Sequence, residues 1–253
     1  DEFNVRLDTD NLALGLYFSD TVSVSDRLHV TIAGRYNDVR TTIVDRLGTS
    51  LTGRHLFSRF NPSVGAVYEA SPAASVFARY SEANRTPTAA ELSCADPAEP
   101  CRVPNAFVSD PPLKQAVARS LEAGARGRLQ GGVMGDVEWE VAGYRTRIRD
   151  DIIFVASPRL IGTGYFQNAG DTDRVGVDVT LGGYTSRLDW YASYTAVEAT
   201  FDSPLVLPSS REVNDAASED GELMVAPGDR IPGIPRHSLK AGVRHDLTGR
   251  WDV

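Results

Sequence analysis

The chain has 253 residues, 34 acids against 26 bases for a net charge of −8, 42% hydrophobic residues and two cysteines. Without a basic block it excludes a nucleic-acid partner held by phosphate contacts. Its longest aliphatic or aromatic run, Ile152 to Ala156, falls far short of the ~20 residues of a membrane-spanning helix. With 22 Gly, 14 Pro and many Thr, Ser and Val, a helix bundle is excluded as well.

Apolar and polar residues alternate with period two, which predicts strands with two different faces. Leu12, Leu14, Leu16 and Phe18 open the series against Ala13, Gly15, Tyr17 and Ser19. Leu28, Val30, Ile32, Gly34 and Tyr36 follow, interleaved with His29, Thr31, Ala33, Arg35 and Asn37. Then come Val64, Ala66 and Tyr68; Val76, Ala78 and Tyr80; Leu121, Ala123 and Ala125; and Val137, Trp139 and Val141. Val175 to Leu181, Leu188 to Tyr194 and Leu239 to Val243 complete nine runs, with a stub at Trp251. Each run is longer than the ~5–6 residues of a usual strand. Glu69, Arg79, Glu122, Arg126, Glu138, Glu140, Asp178, Asp189, Lys240 and Arg244 occupy the opposite faces.

Short and long connections alternate. Ser25-Asp26, Ser71 to Ala74, Gln130 to Gly135, Thr185-Ser186 and Thr248-Gly249 are tight turns. About Thr42 to His55, Arg85 to Gln115, Val155 to Thr163 and Ser203 to Gly233 are long. Short turns at one end and long loops at the other are the asymmetry of a transmembrane β-barrel. A soluble β-sandwich, with the apolar face as a buried core, is the competing interpretation; the loop rhythm argues against it. The expected fold is therefore all-β, an antiparallel meander belonging to a transmembrane barrel. The chain opens on Asp1 without an initiator Met and stops at Val253 inside an alternating pattern, so a segment of a longer protein is expected.

No catalytic constellation is present in the sequence. His29, His55, His237 and His245 are scattered, and no His-Glu-x-x-His, Cys-x-x-Cys or Gly-x-Ser-x-Gly spacing occurs. No metal or cofactor is expected. Glu138/Glu140 and Asp150/Asp151 read as a solvated strand face and a strand tip. Cys94 and Cys101, framed by Pro97, Pro100 and Pro104 in a long connection, predict a local disulfide, with free thiols or a metal clip as alternatives. The last loop is acidic, from Asp202 to Asp229, a composition that attracts cationic ligands but more commonly marks a solvated loop.

Four segments carry a resemblance. Phe60-Asn61-Pro62-Ser63-Val64-Gly65-Ala66-Val67-Tyr68 is followed by Tyr80-Ser81-Glu82-Ala83 and Arg85-Thr86-Pro87-Thr88-Ala89-Ala90-Glu91-Leu92. Gln167-Asn168-Ala169-Gly170 leads into Val175-Gly176-Val177-Asp178, and Pro227-Gly228-Asp229-Arg230-Ile231-Pro232 precedes Pro235-Arg236-His237. Together these resemble the barrel of TonB-dependent outer-membrane receptors, with Asp178 where that family usually has Glu. The resemblance implies that residues 1–253 are part of a barrel of the ~22-stranded type, with the N-terminal plug domain and the closing strands outside the segment. It also implies a bacterial outer-membrane location in contact with lipid, energy from the TonB complex acting through the plug, and uptake of a scarce nutrient, foremost a ferric siderophore. A passive diffusion porin and an outer-membrane barrel enzyme are the alternatives; the first does not explain the four segments, and the second lacks a Ser/His pair. Arg85, Glu91, Arg102 and Tyr165, polar or aromatic and external by the turn argument, are the expected ligand contacts, against ordinary loop solvation.

Overall fold

The computed structural model describes residues 6–48, 51–93, 101–102, 113–132, 135–156, 163–209, 214–248 and 251–252. The chain begins with four long strands, β1 (Leu7–Ser25), β2 (Leu28–Asp45), β3 (Gly53–Ser71) and β4 (Ala74–Arg85). A short helix α1 (Ala89–Ser93) and a two-residue β5 (Cys101–Arg102) precede β6 (Ala116–Gly132) and β7 (Gly135–Arg149). A hairpin of β8 (Ile152–Ala156) and β9 (Thr163–Asn168) leads to β10 (Thr172–Tyr184) and β11 (Leu188–Phe201). A second hairpin, β12 (Leu205–Pro208) and β13 (Glu222–Val225), precedes β14 (His237–Thr248) and β15 (Trp251–Asp252).

The nine alternating runs are nine strands of one sheet, ordered β1-β2-β3-β4-β6-β7-β10-β11-β14, with β15 as the stub. Every neighbouring pair is antiparallel. The order is that of a meander, because each long strand pairs only with the long strands before and after it in sequence.

Opposed residues in an antiparallel pair share a face, so the register extends the alternation across the sheet. One row runs Leu16, Tyr36, Phe60. Another runs Tyr68, Val76, Ala125, Val141, Val179, Tyr194, Leu239. This apolar face lies open: Leu16 is 65% exposed, Leu121 60% and Leu239 72%. Water tolerates contiguous apolar patches of only a few hundred Å² on a monomer, whereas lipid requires such a face. At ~3.3 Å per residue and ~40° tilt, Leu12 to Val22 spans about 25 Å, the height of a barrel's lipid-facing band.

The second face carries Arg35, Glu122, Glu140 and Asp189, as expected from the alternation. Its charges pair laterally: Arg79 Nε and Nη2 donate to Glu122 at 3.0 and 2.7 Å, and Arg128 pairs with Glu138. Thr195 Oγ1 donates to Asp178 at 2.7 Å, and the Ser120 and Thr146 hydroxyls lie 2.9 Å apart.

Three connections differ from the sequence expectation. The β2–β3 connection is shorter, because Ile43 still pairs with Gly53 and Thr41 with His55. Ile43 and Thr41 are each 1% exposed, so burial extends a strand that polar neighbours had made look like loop. The other two contain the hairpins β8–β9 and β12–β13. Pairs so short lack the length for a periodic signal, and packing holds them. Ile43, Leu92, Leu113 and Ile152 form one cluster with Leu7, Phe57 and Phe166. Ala169, Phe201 and Val225 form another with Ile153, Leu205, Leu207 and Ile231. Both clusters sit at the long-connection end and draw the external segments over the polar face.

Candidate functional site

The site is the roofed mouth of the polar face, and the conspicuous sequence segments are what hold its roof. Thr88, Ala89, Ala90 and Glu91 form a capping box at the start of α1: the Thr88 N–H donates to Glu91 Oε2 at 2.8 Å and the Glu91 N–H to Thr88 Oγ1 at 3.2 Å. Arg85 Nη1 donates to both Glu91 carboxylate oxygens, at 2.8 and 2.9 Å. These contacts turn the chain leaving β4 so that Leu92 reaches the first apolar cluster. Two of the four expected ligand residues therefore hold each other. Glu91 is largely covered and the Arg85 side chain is 47% exposed.

Tyr165 lies on β9 and is buried, and burial raises its phenol pKa above the ordinary value. The backbone of Arg102 is opposite Thr163 and that of Cys101 opposite Gly164, which ties β5 to the β8–β9 hairpin. The side chains of Arg102 and Cys101, and the whole of Cys94, lie outside the described residues, so the expected disulfide falls there too.

Asn168 joins three segments. Its Oδ1 accepts from the Lys114 N–H at 2.9 Å, and its Nδ2 donates to the carbonyls of Lys114 at 3.1 Å and Asp150 at 2.8 Å. Beside it, Asp151 accepts from Thr172 Oγ1 at 2.8 Å and Arg174 Nη2 at 3.0 Å. Gly170 has φ +77°, and a Cβ there would stand 2.7 Å from Ser203 Cβ, so both conformation and space require glycine. In the last segment the Phe201 N–H donates to the Asp229 carbonyl and the Ile231 N–H to the Ala199 carbonyl. The return from the acidic loop is thereby stitched to β11.

Sequence reasoning missed a ladder of amides below this roof. Arg35 Nε donates to Asn37 Oδ1 at 2.7 Å, and Asn37 and Asn61 both donate to Asn84 Oδ1, at 2.9 and 2.7 Å. Asn84 passes the chain to Gln115 Oε1 at 3.0 Å, and Gln115 to the Ser58 carbonyl at 3.2 Å. The ladder borders a groove of about 370 Å³ also lined by Tyr17 and Ser63. The available signal was parity: Arg35, Asn37 and Asn61 all fall on the polar side of their strands near the long connections. Among the described residues no group of three or more His, Cys, Asp or Glu is arranged to hold a metal ion.

An antiparallel meander with an exposed apolar band, a polar inner wall and tied external segments defines the wall of an outer-membrane-type β-barrel. A family model for the TonB dependent receptor-like β-barrel matches residues 2–253, and the chain belongs to that family. The family is one of receptors, not of enzymes. No curated protein matches the sequence. Among solved structures, the alcaligin outer-membrane receptor FauA of Bordetella pertussis is 17% identical with a TM-score of 0.59, over 96% of this chain and 36% of that one. The copper transporter OprC is 17% identical with a TM-score of 0.65, over 97% and 33%. The siderophore receptor PiuA of Acinetobacter baumannii is 12% identical with a TM-score of 0.65, over 96% and 32%. At such identities the likeness is one of fold, and the chain spans about a third of the length of these proteins.

Proposed function

We propose that residues 1–253 are the partial barrel of an outer-membrane receptor that takes up a scarce nutrient, most often for this class a ferric siderophore. The observation that carries the reading is the interlocked roof: the connections after β4, β7 and β11 are joined by Asn168, by the pairing of β5 with β9 and by the two apolar clusters. A passive pore needs an open mouth, whereas a receptor needs surfaces held in fixed relation above a polar wall. In this reading the plug domain fills the lumen of the complete protein and the TonB complex drives its movement. The barrel sits in the bacterial outer membrane.

Ligand contact by Arg85, Glu91, Arg102 and Tyr165 belongs to the same proposal, with divided roles. The exposed edge of Arg85 and the Arg102 side chain meet the ligand, while Glu91 and Tyr165 support them. Cys94 and Cys101 stiffen the intervening loop as a disulfide. The test is uptake of radiolabelled iron by cells carrying or lacking the full-length gene, with ferric hydroxamate, ferric catecholate and copper complexes supplied separately. Uptake of one iron chelate that needs both this gene and the TonB complex is the expected result. Passive entry that persists without the complex would overturn it in favour of a porin.

A further inference from the structure

The outward face changes character abruptly on β6 and β7. Arg145, Arg147 and Arg149 alternate up the end of β7, all three exposed. Arg119 stands directly opposite Arg147 on β6. Like charges in opposed positions repel, so this pair needs anions around it.

Carboxylates supply part of that need from beneath. Asp173 accepts from Arg145 Nη2 at 2.8 Å, and Glu82 from Arg119 Nε at 3.2 Å. These acids are only 12% and 13% exposed, whereas the Arg145 and Arg119 side chains are 58% and 46% exposed. Asp202 holds Arg147 at 3.1 Å. Each of the three guanidinium groups is thus fixed along one edge and left open on the other. Arg149 has no partner among the described residues, and Glu82 is shared with Arg59, so the four arginines of the patch face two carboxylates of their own and a third that is shared.

The patch begins where the apolar band stops. Leu121 and Val175, both exposed, are the residues opposed to Arg145 on its two neighbouring strands. Above Tyr36 and Phe60 on β2 and β3, the same outward face carries Asp38 and Ser58, then Arg40 opposite Leu56 and Arg54 opposite Thr42, so basic residues there stand singly and the directly opposed arginines belong to β6 and β7. A molecule that satisfies both halves has an acyl part against the band and a multivalent anionic head against the arginines. Guanidinium forks match phosphate oxygens in pairs. We propose that the Arg119–Arg145–Arg147–Arg149 patch is a docking site for the phosphate-bearing headgroup of an outer-leaflet lipid. The inference rests on the outer-membrane placement proposed above.

The test uses the full-length receptor, reconstituted in phosphatidylcholine vesicles containing a minor fraction of bisphosphorylated lipid A, and in parallel its dephosphorylated form. Lipid retained after gentle extraction is counted by native mass spectrometry. The wild type is expected to enrich the phosphorylated lipid and not the dephosphorylated one, with inorganic phosphate failing to displace it. The R147Q/R149Q variant should lose roughly five-fold of that enrichment per charge removed. Arg54→Gln, on the same face outside the patch, should keep it. Equal enrichment by wild type and double variant, or displacement by inorganic phosphate, would overturn the proposal. Fractionation of cells keeps the two readings apart: a receptor recovered folded in the outer membrane but without enrichment defeats only this inference, whereas absence from that membrane defeats the placement.

Discussion

At the scale of single residues, most of the conspicuous polar side chains are used on backbone. Asn168 satisfies three main-chain groups on two other segments, and each net hydrogen bond is worth ~1 kcal/mol. Asn168→Ala should therefore cost about 2–3 kcal/mol locally, read as faster amide exchange at Lys114 and in the β8–β9 hairpin with the strand content unchanged. Unchanged exchange would mean the amide is not a staple. Tyr165 supplies a pH-dependent counterpart. Its phenol pKa is raised by burial, so the folded hairpin holds the proton more tightly than the unfolded chain does. The sign follows: the contribution is full below the ordinary value near ~10 and is lost as pH rises through the higher folded value. Alkaline titration of exchange in β9 should show loosening there, and Tyr165→Phe should abolish that pH dependence.

At the scale of elements, alternation along a strand becomes a contrast between two environments. Leu16 lies on the open apolar face of β1, while Ser19 lies on the polar one. Leu16→Arg should cost ~2–4 kcal/mol if it meets the bilayer midplane. Ser19→Arg should cost far less, measured as urea unfolding of the full-length receptor from vesicles. Equal costs would mean that the two faces do not meet different solvents. The loop between α1 and β6 carries a second element-scale expectation. If Cys94 and Cys101 are bridged, native peptide mapping yields a linked pair that separates only on reduction, with Cα atoms ~4.4–6.8 Å apart. Alkylation of both thiols without reductant would remove the disulfide.

At the scale of the whole molecule, the sheet exposes what a membrane would cover. β1 pairs only with β2, so its other edge has no backbone partner among the described residues. In lipid each unpaired N–H or C=O costs several kcal/mol, and in water the open apolar face drives association. A polypeptide of these 253 residues, made alone, should be polydisperse by light scattering without detergent, whereas the full-length receptor in detergent should be monodisperse. A detergent-free monomer with a cooperative melt would show a self-contained soluble β domain.

Strand number, the identity of the two faces and the ends at which turns and loops lie were all legible in the sequence. Each depends on near neighbours in the chain: side-chain direction repeats every two residues, and tight turns leave local Ser, Pro and Gly signatures. The family was legible for a related reason, because its recurring segments are local runs such as Tyr80 to Leu92. Only the tertiary structure decided what those runs do. Arg85 and Glu91 stood out as separate polar positions, and only the fold joined them as a pair. Asn37, Asn61 and Asn84 lie on three different strands, and only their pairing brought the three amides together. The Arg119–Arg147 pair exists because cross-strand register places two residues 28 positions apart side by side. Such contacts depend on register and on packing between distant segments, and residue order along one strand carries no record of either.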